Sequence, residues 1–116
     1  MKTLLWLDDI RDPYTSNRVK EYAPEYACKN ANIVWVKNYN EFCNWINKFG
    51  IPDCIAFDYD LGEKKGEKNG YHAAVFIVEY CLKKIRNLPD YIIQSGCSTG
   101  RVCIDEIFHS SGIMKS

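Results

Sequence analysis

Four short apolar runs divide the chain: Leu4-Leu5-Trp6-Leu7, Ile33-Val34-Trp35-Val36, Cys54-Ile55-Ala56-Phe57 and Tyr91-Ile92-Ile93-Gln94. Each has strand length, and the first and third are apolar throughout, the pattern of strands buried on both faces of a parallel sheet. Between the second and third runs, Phe42, Trp45, Ile46 and Phe49 recur at i, i+3, i+4 and i+7. This spacing predicts a helix over 40–49, with Asn40 as its cap and Gly50 as its close. A broad apolar face through Ala73, Ala74, Phe76, Ile77, Tyr80 and Cys81 predicts a second helix over 70–86. Ile104, Ile107 and Phe108 mark a last one. After the first run, Pro13 disfavours helix at Asp12 and forces a turn, and the polar stretch 14–32, which contains Pro24, has room for one short helix near 16–22. Strand and helix therefore alternate, which implies right-handed crossovers, a parallel sheet and helices on both faces. No repeat or low-complexity tract interrupts this α/β pattern, and one domain over 1–116 is expected.

Where the first and third runs stop, acids begin: Asp8-Asp9 after Leu7, and Asp58-Tyr59-Asp60 after Phe57. Open α/β sheets place their ligand sites at such strand ends. Two like charges about 4 Å apart repel by about 1 to 4 kcal/mol between the water and surface-dielectric limits, so the cluster calls for a proton or a cation. Asp8, Asp9 and Asp58 suit Mg2+ or Mn2+, which take hard oxygen ligands. Solvated turn caps are the plainer role for the same residues.

Lys and Arg together number 15 and so do Asp and Glu, so the zero net charge gives no argument for a nucleic-acid or membrane partner. Too few apolar residues precede Asp8 for a signal core or a membrane span, and a cytoplasmic location is expected. Six cysteines with no Cys-x-x-Cys pair argue for reduced thiols over a disulfide framework or zinc site. Cys43, Cys54 and Cys81 fall in apolar patterns as small core residues, while Cys97 and Cys103 flank the loop after the fourth strand.

The run Pro52 to Asp58 resembles the third strand of response-regulator receiver domains, whose last aspartate accepts a phosphoryl group. Asp8-Asp9 resembles the acid pair that holds the receiver's magnesium, and Ser95 falls where receivers carry Ser or Thr. A receiver's fifth strand and its lysine have no counterpart, since Lys115 lies in the tail. A closer resemblance is to the cyclic-phosphate-processing receiver domains of bacteria and phages. It rests on Leu7-Asp8-Asp9-Ile10-Arg11-Asp12-Pro13, Phe57-Asp58-Tyr59-Asp60-Leu61-Gly62, Asn69-Gly70-Tyr71 and the run Gln94 to Gly100. Tyr59 and Gln94 stand where that family has histidines, and Cys97-Ser98 replaces its Asn-Pro. The resemblance implies a three-layer, flavodoxin-like parallel sheet without the fifth strand, in the order 2-1-3-4, with its crevice between strands one and three. It also implies metal-dependent processing of a phosphoester or cyclic phosphate.

Around the acids, Asp58 and Asp60 are the candidate catalytic residues; Asp60 is read as a fourth ligand or a residue just behind the ligands, ahead of a general base toward a metal-bound water or a cap for the following turn. The loop from Ser95, with Ser98, Thr99 and Gly100, opens a helix and suits an anion, and Arg101 adds a guanidinium fork for phosphate. Arg11 is expected to hold Asp9 or a bound phosphate, or else to form a surface ion pair. Tyr59 is a candidate for stacking on a nucleobase or for core filling. His72 is a candidate substrate contact or a structural first-turn residue. Two functions stay open: a metal-dependent enzyme, and a non-catalytic binder that sequesters a phosphorylated small molecule or nucleotide. Phosphoacceptor signalling through Asp58 lacks its lysine.

Overall fold

Parallel pairing of the four apolar runs builds the sheet that everything else packs on. The computed structural model describes residues 2–15, 17–28, 30–62, 64, 66–94 and 98–111. Among them, β1 (Lys2–Leu7), β2 (Ala31–Val36), β3 (Cys54–Phe57) and β4 (Asp90–Ile93) form one all-parallel sheet in the order β2-β1-β3-β4. The helices are α1 (Arg18–Tyr22), α2 (Tyr39–Phe49), α3 (Gly70–Lys84) and α4 (Ser98–Ser110), with a 3-10 turn at Pro24–Tyr26. The sheet order and the alternation are those expected from the sequence. Ser16, Ser95, Cys97 and Lys115 lie outside the described residues.

The continuous apolar runs of β1 and β3 are explained by two hydrophobic clusters. Leu5, Leu7, Ile55 and Phe57 face α2, α3 and α4 through Phe42, Ile46, Ile77, Ile104 and Phe108. Leu4, Trp6, Cys54 and Ala56 face the other way, onto Val19, Ala23 and Tyr26 of α1 and the 3-10 turn. Both central strands are thus covered on both faces. Phe57 is held between Phe42 and Phe108, with ring centroids 6.0 and 5.7 Å away, which fixes the end of β3 just before Asp58. Cys43, Cys54 and Cys81 are buried, and Cys103 is half-buried.

Several boundaries differ from the sequence reading: α3 closes at Lys84 instead of 86, β4 covers Asp90–Ile93 instead of 91–94, β2 begins at Ala31 instead of Ile33, and two helix starts move. Asn38, rather than Asn40, caps α2: its Oδ1 accepts the Glu41 amide at 2.8 Å, while Glu41 Oε1 accepts the Lys37 amide at 3.0 Å. The reciprocal pair of bonds favours the earlier start. Likewise, Ser98, Thr99 and Gly100 belong to the first turn of α4 instead of a loop before it, with Arg101 following them in the helix.

Helix α3 ends at Ile85, which is left-handed at φ 56° and 91% exposed, and Arg86 N donates to the Cys81 carbonyl at 2.9 Å. A β-branched residue is poorly suited to that conformation, which costs about 1–2 kcal/mol outside glycine. Ile85→Gly should therefore raise stability by about 1 kcal/mol, seen as a higher urea midpoint with an unchanged slope. A lowered midpoint would refute this account.

Candidate functional site

The register Leu7↔Phe57 brings the residues after the two central strands side by side. Asp58 N donates to the Leu7 carbonyl at 3.1 Å, and Asp8 N to the Val36 carbonyl at 3.1 Å. Asp8 and Asp58 are buried and Asp9 is half-buried. One carboxylate oxygen from each of the three lies within 4.8 Å of the others. They sit between β1 and β3, where the strand order reverses, the place at which open α/β sheets bind ligands.

The loop that carries Asp8 and Asp9 is fixed from both ends. Asp8 Oδ1 accepts the amides of Ile10 and Arg11, each at 3.0 Å. The Trp35 indole donates to the Asp8 carbonyl at 2.7 Å, and the Trp6 indole to the Arg11 carbonyl at 3.1 Å. These indoles brace the acidic loop, a role that core-packing logic overlooks; the available signal was an indole N–H that needs a partner close to a strand end. Arg11 Nη1 lies 3.5 Å from Asp8 Oδ2 and 3.7 Å from Asp58 Oδ2. Its guanidinium is thus against Asp8 and Asp58 rather than Asp9, the expected partner.

Burial, first, and then repulsion from Asp8 push the Asp58 carboxyl up to about 7, with Asp9 and Asp60 adding to the rise and Arg11 opposing it. Asp9 is also raised, chiefly by burial, with Asp8 and Asp60 contributing. A magnesium ion holds oxygens at about 2.0–2.1 Å, so opposed ligands stand about 4.2 Å apart. Oxygens that already lie within 4.8 Å need only a small side-chain adjustment. Three hard donors, two of them buried and one reluctant to ionise alone, fit a divalent cation.

The remaining candidates disperse. Asp60 is exposed, and its Oδ1 accepts the Gly62 amide at 2.9 Å, the turn-cap role. The Tyr59 ring packs on Gly100, where a Cβ would overlap the ring, so α4 approaches the strand end through that glycine. Gly70 is equally constrained, because a Cβ there would overlap the Asp58 carbonyl. His72 Nδ1 accepts the Asn69 amide at 3.0 Å while Asn69 Oδ1 accepts the amides of Tyr71 and His72, so His72 closes the capping box of α3. Ser98 and Thr99 are exposed on the first turn of α4. Arg101 Nη1 donates to the Ile93 carbonyl at 2.9 Å and lines a cleft of about 450 Å³ with Tyr91, Asp105, Phe108 and His109, a cleft that does not include the acids. Gln94 is buried; its Nε2 donates to the Leu7 carbonyl at 3.3 Å, and Arg18 donates to its side-chain and main-chain oxygens at 3.3 and 2.7 Å. Sequence reasoning gave no signal for this tie between α1 and β4.

A four-stranded parallel sheet with acids at its switch point defines a receiver-like domain. The family model described as the cyclic-phosphate processing receiver domain matches residues 3–110, and the chain belongs to that family. The receiver domain of a Francisella response regulator, 1452, is similar across 96% of this chain and 93% of its own, with a TM-score of 0.54 and 17% identity. A yeast Spc42 trimeric coiled-coil segment, amino acids 181–211, fused to another solved structure is similar over 91% of this chain and 75% of its own, with a TM-score of 0.51 and 17% identity. Both likenesses concern the fold. The comparison with curated proteins found no match. No helix among the described residues is long and apolar enough to cross a membrane.

The raised Asp58 carboxyl gives a signed pH dependence. Folded metal-free protein keeps a proton that the unfolded chain releases near pH 4, so this contribution to stability is full below about pH 4 and is lost as pH rises through about 7. Asp58→Asn should flatten that fall by about 2–4 kcal/mol in chelator-treated samples unfolded with urea at several pH values. An unchanged slope would contradict the assignment to Asp58.

Proposed function

We propose that the domain binds a divalent cation, magnesium or manganese, on Asp8, Asp9 and Asp58 and uses it to process a phosphoester or cyclic phosphate. The observation that carries this reading is the convergence of three carboxylate oxygens at the sheet's switch point, in a chain of the cyclic-phosphate processing family. When bound, the ion supplies Lewis-acid polarisation of a phosphoryl oxygen. Asp58 would release its proton on ion binding, so affinity should fall as pH drops through about 7. Asp60, at the exposed rim, is the residue proposed to take up a proton during turnover. The phosphate would rest toward the first turn of α4, with the hydroxyls of Ser98 and Thr99 as donors. Arg11 replaces Arg101 as the proposed guanidinium contact, because it is the one beside the acids.

A second reading, non-catalytic retention of a phosphorylated small molecule or nucleotide, is favoured by two specific observations. Tyr59 stands in place of a family histidine and packs its ring on Gly100, and Gln94 stands in place of the other and bonds to Leu7 and Arg18. Neither side chain can act as an imidazole would in moving protons near neutral pH.

Ion binding is tested by thermal unfolding. At about 100 times its dissociation constant, magnesium or manganese should stabilise the protein by about 2.7 kcal/mol, and Asp9→Asn should lose most of this gain. A melting temperature indifferent to ion in verified metal-free protein would sink the metal reading. Incubation with cyclic nucleotides and 2′,3′-cyclic phosphates then separates the two functions, since an enzyme opens the ring over many turnovers and a binder returns it intact.

A further inference from the structure

The position of Arg11 suggests a role beyond contact with phosphate. Its Nη1 is shared between Oδ2 of Asp8 and Oδ2 of Asp58, at 3.5 and 3.7 Å, so the guanidinium already occupies the ground between two of the proposed ligands. Asp8 Oδ1 is held by two backbone amides, which leaves Oδ2 as the oxygen that Arg11 and an incoming ion would both seek. Resting on the metal reading above, we propose that Arg11 is a displaceable internal counter-cation: it neutralises the acids in the ion-free protein and swings out when the divalent cation enters.

Three features make the displacement a side-chain movement alone. The root of Arg11 is fixed, with its amide on Asp8 Oδ1 at 3.0 Å and its carbonyl on the Trp6 indole at 3.1 Å. Its side chain is 47% exposed, so about half of it already faces solvent. Both ion-pair contacts are long, and because the two carboxylates are buried the guanidinium leaves only when another cation takes over their charge, which an incoming dication does. A dication offers the same oxygens twice the charge at shorter range. The ion's apparent affinity is then set by the fraction of molecules in which the guanidinium has left, which makes Arg11 a determinant of the working ion concentration.

Removing the competitor should therefore tighten ion binding. By calorimetry in chelator-treated samples, Arg11→Ala and Arg11→Gln should each bind Mn2+ about 3- to 10-fold more tightly than the wild type. In the wild type, the Arg11 Nε–Hε resonance should move toward the free-arginine position as Mg2+ is added, saturating with the same dissociation constant as the calorimetric signal. Equal or weaker Mn2+ affinity in both variants would overturn the proposal, as would an Arg11 resonance that stays still while the wild type saturates. The resonance decides the matter if the variants do not fold. Failure of wild type and variants alike to take up ion would overturn the metal reading and this inference with it, whereas normal wild-type uptake with unimproved variants would remove the inference alone.

Discussion

Everything at the candidate site depends on one enforced repulsion. Parallel pairing of Leu7 with Phe57 leaves Asp8 and Asp58 no choice but to emerge next to each other, and the apolar clusters on both faces of β1 and β3 hold that register against the charge. A one-residue slip would turn every buried side chain of these strands onto the opposite face, which is far costlier than crowding two carboxylates. The molecule answers the crowding locally, with the Asp58 carboxyl pushed up to about 7 and a guanidinium placed between the two acids.

Support for the acids and the residues that would do chemistry come from different parts of the fold. Strand register and two indoles hold Asp8 and Asp58. The positions of the missing histidines lie on separate attachments: Tyr59 leans on α4 through Gly100, and Gln94 binds α1 to the end of β4. Such a domain can keep its cluster of acids while the residues at the other two positions change, because the two parts are held by different contacts.

Much of the fold was legible because burial on both faces writes an unmistakable signature. The uninterrupted runs Leu4 to Leu7 and Cys54 to Phe57 identified the central strands, and the acids after them identified the crevice. Local competition was less legible. Asn38 and Asn40 are both acceptable caps, and only the reach of Glu41 back to Lys37 selects the first. Ser98 to Gly100 could be read as loop because glycine and hydroxyl residues suit turns, yet they open α4, whose Gly100 lies against the Tyr59 ring. The partners of Arg11, Arg101 and Gln94 are long-range contacts that no spacing along the chain encodes.

The indole of Trp35 has a further consequence. It donates its N–H to the carbonyl of a site aspartate, and the indole of Trp6 does the same for the carbonyl of Arg11. Indole emission responds to charge and hydrogen bonding at the ring, so the chain carries two native chromophores attached directly to the loop under the acids. A change of charge among the acids would therefore alter the protein's own fluorescence, with no added dye.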